Sequence, residues 1–370
     1  MRIIHVNDSS IYNYDGISTY VHELLECAER NNDEVLLLTT KELDSRNKRE
    51  LKYKGRIHFF PCVRFPGKPK FVTVFTFGLK KIITDFNPDI IWIHTIGTLG
   101  VKAAKVAGDK YKIIYTKHCF DGELWCTYLN VPEIFQPIFY SFAQFFENKI
   151  LSKAFKILYH IGDVSRVEKS KFFRLFKMMP PPLNAKFFEQ PDTAKKNSTA
   201  NKIILGFCGR CDMDKGIREM FQGIEIFHHT YPMIEIDFHF IGDGPEAHFV
   251  KQKYDFINVS ITGYINDVIP HLDKLDAFIL SSKQETISLS SLEAYARKLI
   301  IFSVHKGYLS ERVNDINNFF LFDTPTELAA LIAKVFVTKE IRIAEHSEKV
   351  PPVISYAELY SAVRKLVEKI

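Results

Sequence analysis

No stretch of these 370 residues stays apolar over the roughly 20 positions that one bilayer-spanning helix needs, so a membrane-spanning chain is not expected. The amino end, MRIIHVND, reads as a strand followed by polar residues and not as a secretion signal, and a cytoplasmic location is the expectation. Cysteine is sparse: Cys27, Cys62, Cys119, Cys126, Cys208 and Cys211 are scattered, mostly inside apolar runs as reduced core thiols are, so no disulfide framework is expected. Only Cys208 and Cys211 form a C-x-x-C pair, and no second pair completes a zinc knuckle. Charge of one sign is weak too. The net charge of +5 is compatible with nucleotides, acidic headgroups or nucleic acid and does not choose among them. With 46% hydrophobic and 25% charged residues, disordered and fibrous classes are excluded, and the length suits two domains or one large barrel.

Short runs rich in Ile, Val, Phe and Tyr alternate with longer amphipathic stretches, the pattern of βα units around a parallel sheet, and the rhythm occurs twice. The first half is expected to place strands at Arg2–Val6, Glu34–Thr40, Arg56–Pro61, Ile90–His94, Lys112–His118 and Lys156–Ile161. The second half gives Lys202–Gly209, Glu235–Gly242, Asn258–Ile265, Asp276–Ser282, Leu299–Val304 and a short Phe319–Phe322. Between them three consecutive prolines forbid helix and a polar connector follows, which sets a boundary near residue 190. Residues 1–190 and 191–352 are thus expected to be two Rossmann-like domains. Residues 353–370, with Leu359, Val363 and Leu366 at helical spacing, form a last helix expected to pack back on the first domain.

The residues that carry chemistry cluster after strands. Asp15-Gly16 makes a tight turn into a helix, where glycine lets a ligand approach the backbone and the helix start offers N–H groups to an anion; the same dipeptide also serves as a plain turn. In KIILGFCGRCDMDKGI a strand delivers Arg210 and, five residues on, Lys215. Ligands of open α/β sheets bind at the carboxyl ends of strands, so these cations suit a diphosphate, the alternative being two solvated surface cations. Further along the same edge come Ile241-Gly242-Asp243-Gly244-Pro245 and Gly263-Tyr264-Ile265. Last, two carboxylates eight apart, Glu285 and Glu293, flank a hydroxyl-rich helix start. Backbone N–H groups around Ser288, Leu289 and Ser290 suit phosphate, and the carboxylates suit sugar and ribose hydroxyls.

The ordered set G-R, K-G, I-G-D-G-P, G-Y and E-x7-E resembles the large retaining glycosyltransferase family with the GT-B fold, often called family 4, across essentially the whole chain and most specifically over residues 202–311. The resemblance implies two Rossmann-like domains with parallel sheets facing across a cleft, and a nucleotide-diphosphate sugar, with UDP-sugar favoured, as substrate in place of a cofactor. It implies that Arg210 and Lys215 bind the diphosphate, that Glu285 contacts donor sugar hydroxyls, that Glu293 holds the ribose, and that Tyr264 and Ile265 line the base pocket. Gly16 would approach the phosphates. His118, in Thr116-Lys117-His118, would sit near the reacting carbon as a catalytic residue beside Glu285, with His94 a second acceptor-side residue. Gly244, Ser288, Leu289 and Ser290 complete the donor set. The chain departs from the family at Asp15 and Ser288, where glycines are usual, and at Arg297-Lys298, where Cys-Gly is usual.

The reaction these parts imply is a metal-independent, retaining transfer of a hexose to a glycan or glycolipid in cell-surface polysaccharide biosynthesis. A DNA-modifying glucosyltransferase acting on a hydroxymethylated base, and a sugar-nucleotide isomerase or inactive binding module, are the alternatives. Two stretches bear on the acceptor: residues 133–146, EIFQPIFYSFAQFF, and 163–177, DVSRVEKSKFFRLFK. Basic residues among aromatics suit peripheral contact with an anionic membrane, less so a nucleic-acid groove, and equally a plain helix with its apolar face in the core.

Overall fold

The computed structural model describes residues 1–41, 49–65, 68–118, 122–123, 126, 131–160, 165–189, 201–283, 285, 287–305, 310, 318–341 and 353–368. It divides into two compact units, Met1–Pro182 with Ile354–Ile370, and Leu183–Val353. The expected connector after residue 190 lies outside the described residues.

The first unit is built on a seven-stranded parallel sheet. In chain order its strands are β1 (Arg2–Val6), β2 (Glu34–Thr40), β3 (Arg56–Phe60), then β6 (Ile90–Ile93), β7 (Lys112–Lys117), β8 (Lys156–Tyr159) and β9 (Phe176–Met178), with the hairpin β4 (Cys62–Phe65) and β5 (Lys68–Val74) between. Spatially they run β3-β2-β1-β6-β7-β8-β9. Helices α1 (Gly16–Arg30), α2 (Leu79–Phe86), α3 (Thr98–Ala107) and α4 (Gln136–Leu151) follow strands β1, β5, β6 and β7. Because side chains alternate along a strand, β1 sends Ile3 and His5 to one face and Ile4 and Val6 to the other. Ile4, Ile91 and Ile113 pack with Leu79, Ile83, Leu99 and Ile150. Ile3, Trp92, Ile114 and Leu158 pack with Tyr20 and Leu24 of α1 and with Leu359, Tyr360 and Val363 of the last helix.

A two-residue strand, β10 (Pro182–Leu183), marks the passage to the second unit, a six-stranded parallel sheet ordered β13-β12-β11-β14-β15-β16. These are β11 (Lys202–Cys208), β12 (Glu235–Ile241), β13 (Asn258–Ile261), β14 (Ala277–Leu280), β15 (Ile300–Ser303) and β16 (Phe319–Leu321). Helices α5 (Ile217–Thr230), α6 (Pro245–Lys253), α7 (Leu289–Ala296) and α8 (Pro325–Phe336) connect or follow them. In both sheets the strand order reverses beside the first strand, so a crevice opens where β1 meets β6 and where β11 meets β14. The chain then returns to the first unit through β17 (Ile354–Ser355) and α9 (Tyr356–Glu368). No described helix is long and apolar enough to cross a membrane.

Candidate functional site

In the second unit the loop after β11 folds over the reversal point and is tied there by backbone. Cys211 N–H donates to the Asp243 carbonyl at 2.8 Å, Lys283 N–H to the Asp214 carbonyl at 2.9 Å, and the Ser281 hydroxyl to the Lys215 carbonyl at 2.7 Å. Gly216 starts α5 with a left-handed φ of 62°, and a Cβ there would overlap the Ser281 carbonyl oxygen, so only glycine lets the loop close on the end of β14. Gly242 is held to the same rule by the carbonyl of Gly209.

This closure brings Lys215 to Glu285. The ammonium donates to Oε2 at 3.1 Å, and both side chains are largely buried. Arg210, leaving the neighbouring strand end, is paired with Asp212, and its charge acts on the phenol of Tyr264. Burial, ahead of that cation, pushes Tyr264 up to about 12, so the ring stays protonated and donates to the Asp243 carbonyl at 3.2 Å. Ile265 beside it packs partly against the core. Gly244, at φ 152°, precedes α6, which opens on Pro245. Glu293 lies on α7 close enough to the end of β11 that its charge, after burial itself, holds the Cys208 thiol protonated. At the start of α7 the Ser288 oxygen accepts from Ser291 N–H at 3.2 Å and lies 3.3 Å from the Ser290 hydroxyl, with Leu289 opening the helix between them. Arg210, Lys215, Tyr264, Glu285, Ser288 and Glu293 thus gather on one edge of one sheet.

The expectation of a metal-free site passed over Asp212-Met213-Asp214, which has the Asp-x-Asp spacing that metal-dependent transferases use. Here the Asp212 carboxylate is engaged by Arg210, and among the described residues no group of three or more His, Cys, Asp or Glu could hold a metal ion.

Gly16, His94 and His118 belong to the first unit. Gly16 is the exposed first residue of α1, behind Asp15. His94 follows β6 and is buried; its Nε2 lies 3.0 Å from Nδ1 of His5. His118 follows β7, with its ring 5.9 Å from that of His94 and 4.6 Å, edge to face, from Tyr20. His160, after β8, completes a row: Tyr20 Oη is 3.0 Å from its Nε2. Burial holds His5 and His118 down at about 3 and His160 at about 4, and places His94, which also faces His5 and His118, well below the ordinary range. The cluster is therefore neutral at physiological pH.

Among solved structures the chain is similar to sucrose-phosphate synthase from Thermosynechococcus elongatus, with 16% identity, a TM-score of 0.75 and coverage of 100% of this chain and 98% of that one. It is similar to Anabaena HepE, solved with UDP and glucose, at 15% identity and TM-score 0.71 with both chains fully covered. WaaG, a glycosyltransferase involved in lipopolysaccharide biosynthesis, matches at 12% identity and TM-score 0.67, covering 100% of this chain and 99% of that one. Likeness at such low identity gives the fold, GT-B. No curated protein sequence matches. Residues 14–165 match the family model described as glycosyltransferase family 4, and residues 202–337 that described as glycosyl transferases group 1. The chain belongs to the group 1 glycosyltransferases.

In this glycosyltransferase the departures from the family pattern have local structural answers. Asp15 and Ser288 both stand in extended backbone, at φ −138° and −77°, and each caps a helix, Asp15 through the N–H of Ser18 at 2.7 Å. Lys298, where glycine is usual, keeps a left-handed φ of 64°. Arg297 before it is buried against Asp273, at 2.7 and 2.8 Å, and donates to the Glu189 carbonyl at 2.5 Å. Sequence reasoning missed His5, His160, Tyr20 and Asp8. Asp8 is a buried carboxylate that accepts from Leu99 and Gly100 N–H at 2.7 and 3.0 Å and so caps α3; burial raises its pKa against the pull of those bonds. The histidines left a signal: four strands of the first half carry one at or just past their carboxyl end.

Proposed function

We propose that this glycosyltransferase moves a hexose from a UDP-sugar to a glycan or glycolipid acceptor, with retention and without a metal. The observation that carries this reading is the 3.1 Å contact between Lys215 and Glu285 at the reversal point of the second sheet, beside Arg210. A cation and a carboxylate in mutual reach match a ligand whose phosphate and hydroxyls are adjacent. HepE, solved with UDP and glucose, supports the choice of donor.

In this mechanism Arg210 and Lys215 lie against the diphosphate and stabilise the negative charge that grows on it as its bond to the anomeric carbon breaks, at no cost of reorganisation. Glu285 accepts from sugar hydroxyls, Glu293 from the ribose, and Tyr264 and Ile265 border the base. The N–H groups at Ser288 to Ser290, with Gly244 and Gly16, face phosphate. The acceptor hydroxyl attacks from the side the diphosphate leaves, its proton passes to a diphosphate oxygen, and configuration is kept. His118, a neutral imidazole, hydrogen-bonds the sugar near the reacting carbon, with His94 behind it on the acceptor side.

The acceptor side is supported by the turn Glu133–Phe135 and α4, where Ile134, Phe135, Ile138, Phe142 and Phe145 are all exposed and the last four recur at spacings of three and four. Such a stripe suits the interfacial layer of a membrane, where glycolipids reside, and supports reading the enzyme as peripheral on a cytoplasmic membrane face. WaaG, with its part in lipopolysaccharide biosynthesis, is in keeping with that choice. In the second basic stretch Phe172, Leu175 and Phe176 pack on the core and Lys169, Lys171, Arg174 and Lys177 are exposed.

Thermal unfolding with UDP-, GDP- and ADP-sugars tests the donor. A ligand at a hundredfold excess over Kd stabilises by about 2.7 kcal/mol, and UDP-sugars are expected to give this shift. Lys215→Ala and Arg210→Ala should erase it; unchanged shifts in both would refute the phosphate site. Glu285→Ala is expected to lower turnover of labelled donor more than its binding.

A further inference from the structure

Four histidines of the first unit, His5, His94, His118 and His160, sit at or just beyond the carboxyl ends of β1, β6, β7 and β8, four neighbours in the sheet. Only His118 and His94 enter the transfer reaction proposed above. What the others do follows from a chain of hydrogen bonds in which every proton has one place. His160 Nδ1 faces the carbonyl oxygens of Met179 and Pro180 at 3.2 and 3.0 Å. Both are acceptors only, so Nδ1 carries the ring proton, and in the neutral ring Nε2 is then an acceptor. Tyr20, 3.0 Å from that Nε2, must donate its hydroxyl proton to it. Below it the Thr116 hydroxyl oxygen accepts the indole N–H of Trp92 at 2.8 Å. The phenol ring is thereby fixed from the end of β8, although it is rooted on α1.

That ring is what His118 rests on. The two planes meet at 83° with centroids 4.6 Å apart, the nearer of the His118 ring contacts to Tyr20 and His94. Tyr20 also meets His94 at 5.8 Å and Tyr356 at 5.6 Å, so it stands at the centre of the aromatic group.

We propose that Tyr20 is a positioning residue for His118: the hydrogen bond to His160, itself fixed by the Met179 and Pro180 carbonyls, locks the phenol, and the phenol sets the angle at which the His118 imidazole meets the sugar. The proposal rests on the role given to His118 under the proposed function. It predicts that the Tyr20 hydroxyl matters for turnover although it touches no substrate.

The test is a double-mutant cycle with the full chain and a UDP-sugar donor. Tyr20→Phe keeps the ring and removes the hydroxyl; it should lower kcat about three- to tenfold, the usual worth of one positioned hydrogen bond, and leave donor KM unchanged. His160→Gln should act in the same direction. In a His118→Ala background Tyr20→Phe should add less than about twofold, because residues acting through one another are not additive. Melting curves check that each variant folds. A wild-type kcat for Tyr20→Phe, or the same fold-loss with and without His118, overturns the inference while leaving His118 its role. A wild-type kcat for His118→Ala withdraws that role, and the inference with it.

Discussion

Burial of neutral histidines predicts that the first unit loses stability as pH falls from 7.5 to 5.5. His5, His94 and His160 are nearly inaccessible to solvent, and burial holds the first near 3, the last near 4, and His94 well below its ordinary value. In the unfolded chain each returns to about 6.5. As pH falls below that value the unfolded state takes up protons that the folded state refuses, so stability is full above about 6.5 and declines as pH falls toward the folded values. From pH 7.5 to 5.5 each group removes on the order of 1 kcal/mol and the three together a few kcal/mol, a large share of the roughly 5–15 kcal/mol of a typical domain. His118, partly reachable by solvent, is left out of this sum. For a unit of this size the loss corresponds to a fall in Tm of roughly 10 °C. Melting curves at pH 7.5, 6.5 and 5.5 measure it. His160→Gln, which keeps a donor but cannot titrate, should make the slope measurably shallower. A Tm that is flat over this window, or a His160→Gln slope equal to that of the wild type, would refute the reasoning.

Three further outcomes follow from single positions. Gly216→Ala, which forces a Cβ onto the Ser281 carbonyl at a left-handed φ, should cost about 2 kcal/mol or more and abolish the UDP-sugar shift, because Lys215 moves with the loop; thermal unfolding reads both. Lys298→Gly should stabilise the second unit by about 1 kcal/mol: Lys298 N–H bonds the Tyr295 carbonyl and Leu299 N–H the Ala294 carbonyl, the paired C-cap that glycine suits best, and denaturant titration would show it. Ile138→Glu with Phe142→Glu should weaken sedimentation with vesicles of anionic phospholipid at least tenfold without changing Tm, since both side chains are exposed in the folded chain.

The strands were legible because their apolar runs keep the parallel-sheet pattern, and the strand ends carry the chemistry with them: once β11 is placed, Arg210 and Lys215 fall at a carboxyl edge. What escaped was whatever depends on sheet order. His5 and His160 are far apart in the chain, and only the order β1-β6-β7-β8 makes them neighbours of His94 and His118. Arg297 stands in the sequence only as a departure from the family's Cys-Gly, and its partners, Asp273 and the carbonyls of Phe187 and Glu189, are none of them local. The hairpin β4–β5 is an antiparallel ribbon whose second strand, KPKFVTV, opens with a proline and lysines and hides the ladder from a search for apolar runs.

The return of the chain to its first unit has a bearing on how the protein is made. During synthesis α1 emerges before residues 183–353, but the side chains that cover its flank, Leu359, Tyr360 and Val363, are translated after them, and so is the Tyr360 hydroxyl that bonds Asp33 at 2.8 Å. Residues 183–353 hold every strand of their own sheet and are complete in the nascent chain before that cover arrives. The unit begun before its neighbour is therefore sealed after it, and its apolar flank is open to chaperones, or to a second nascent chain, for as long as the ribosome takes to write residues 183–353.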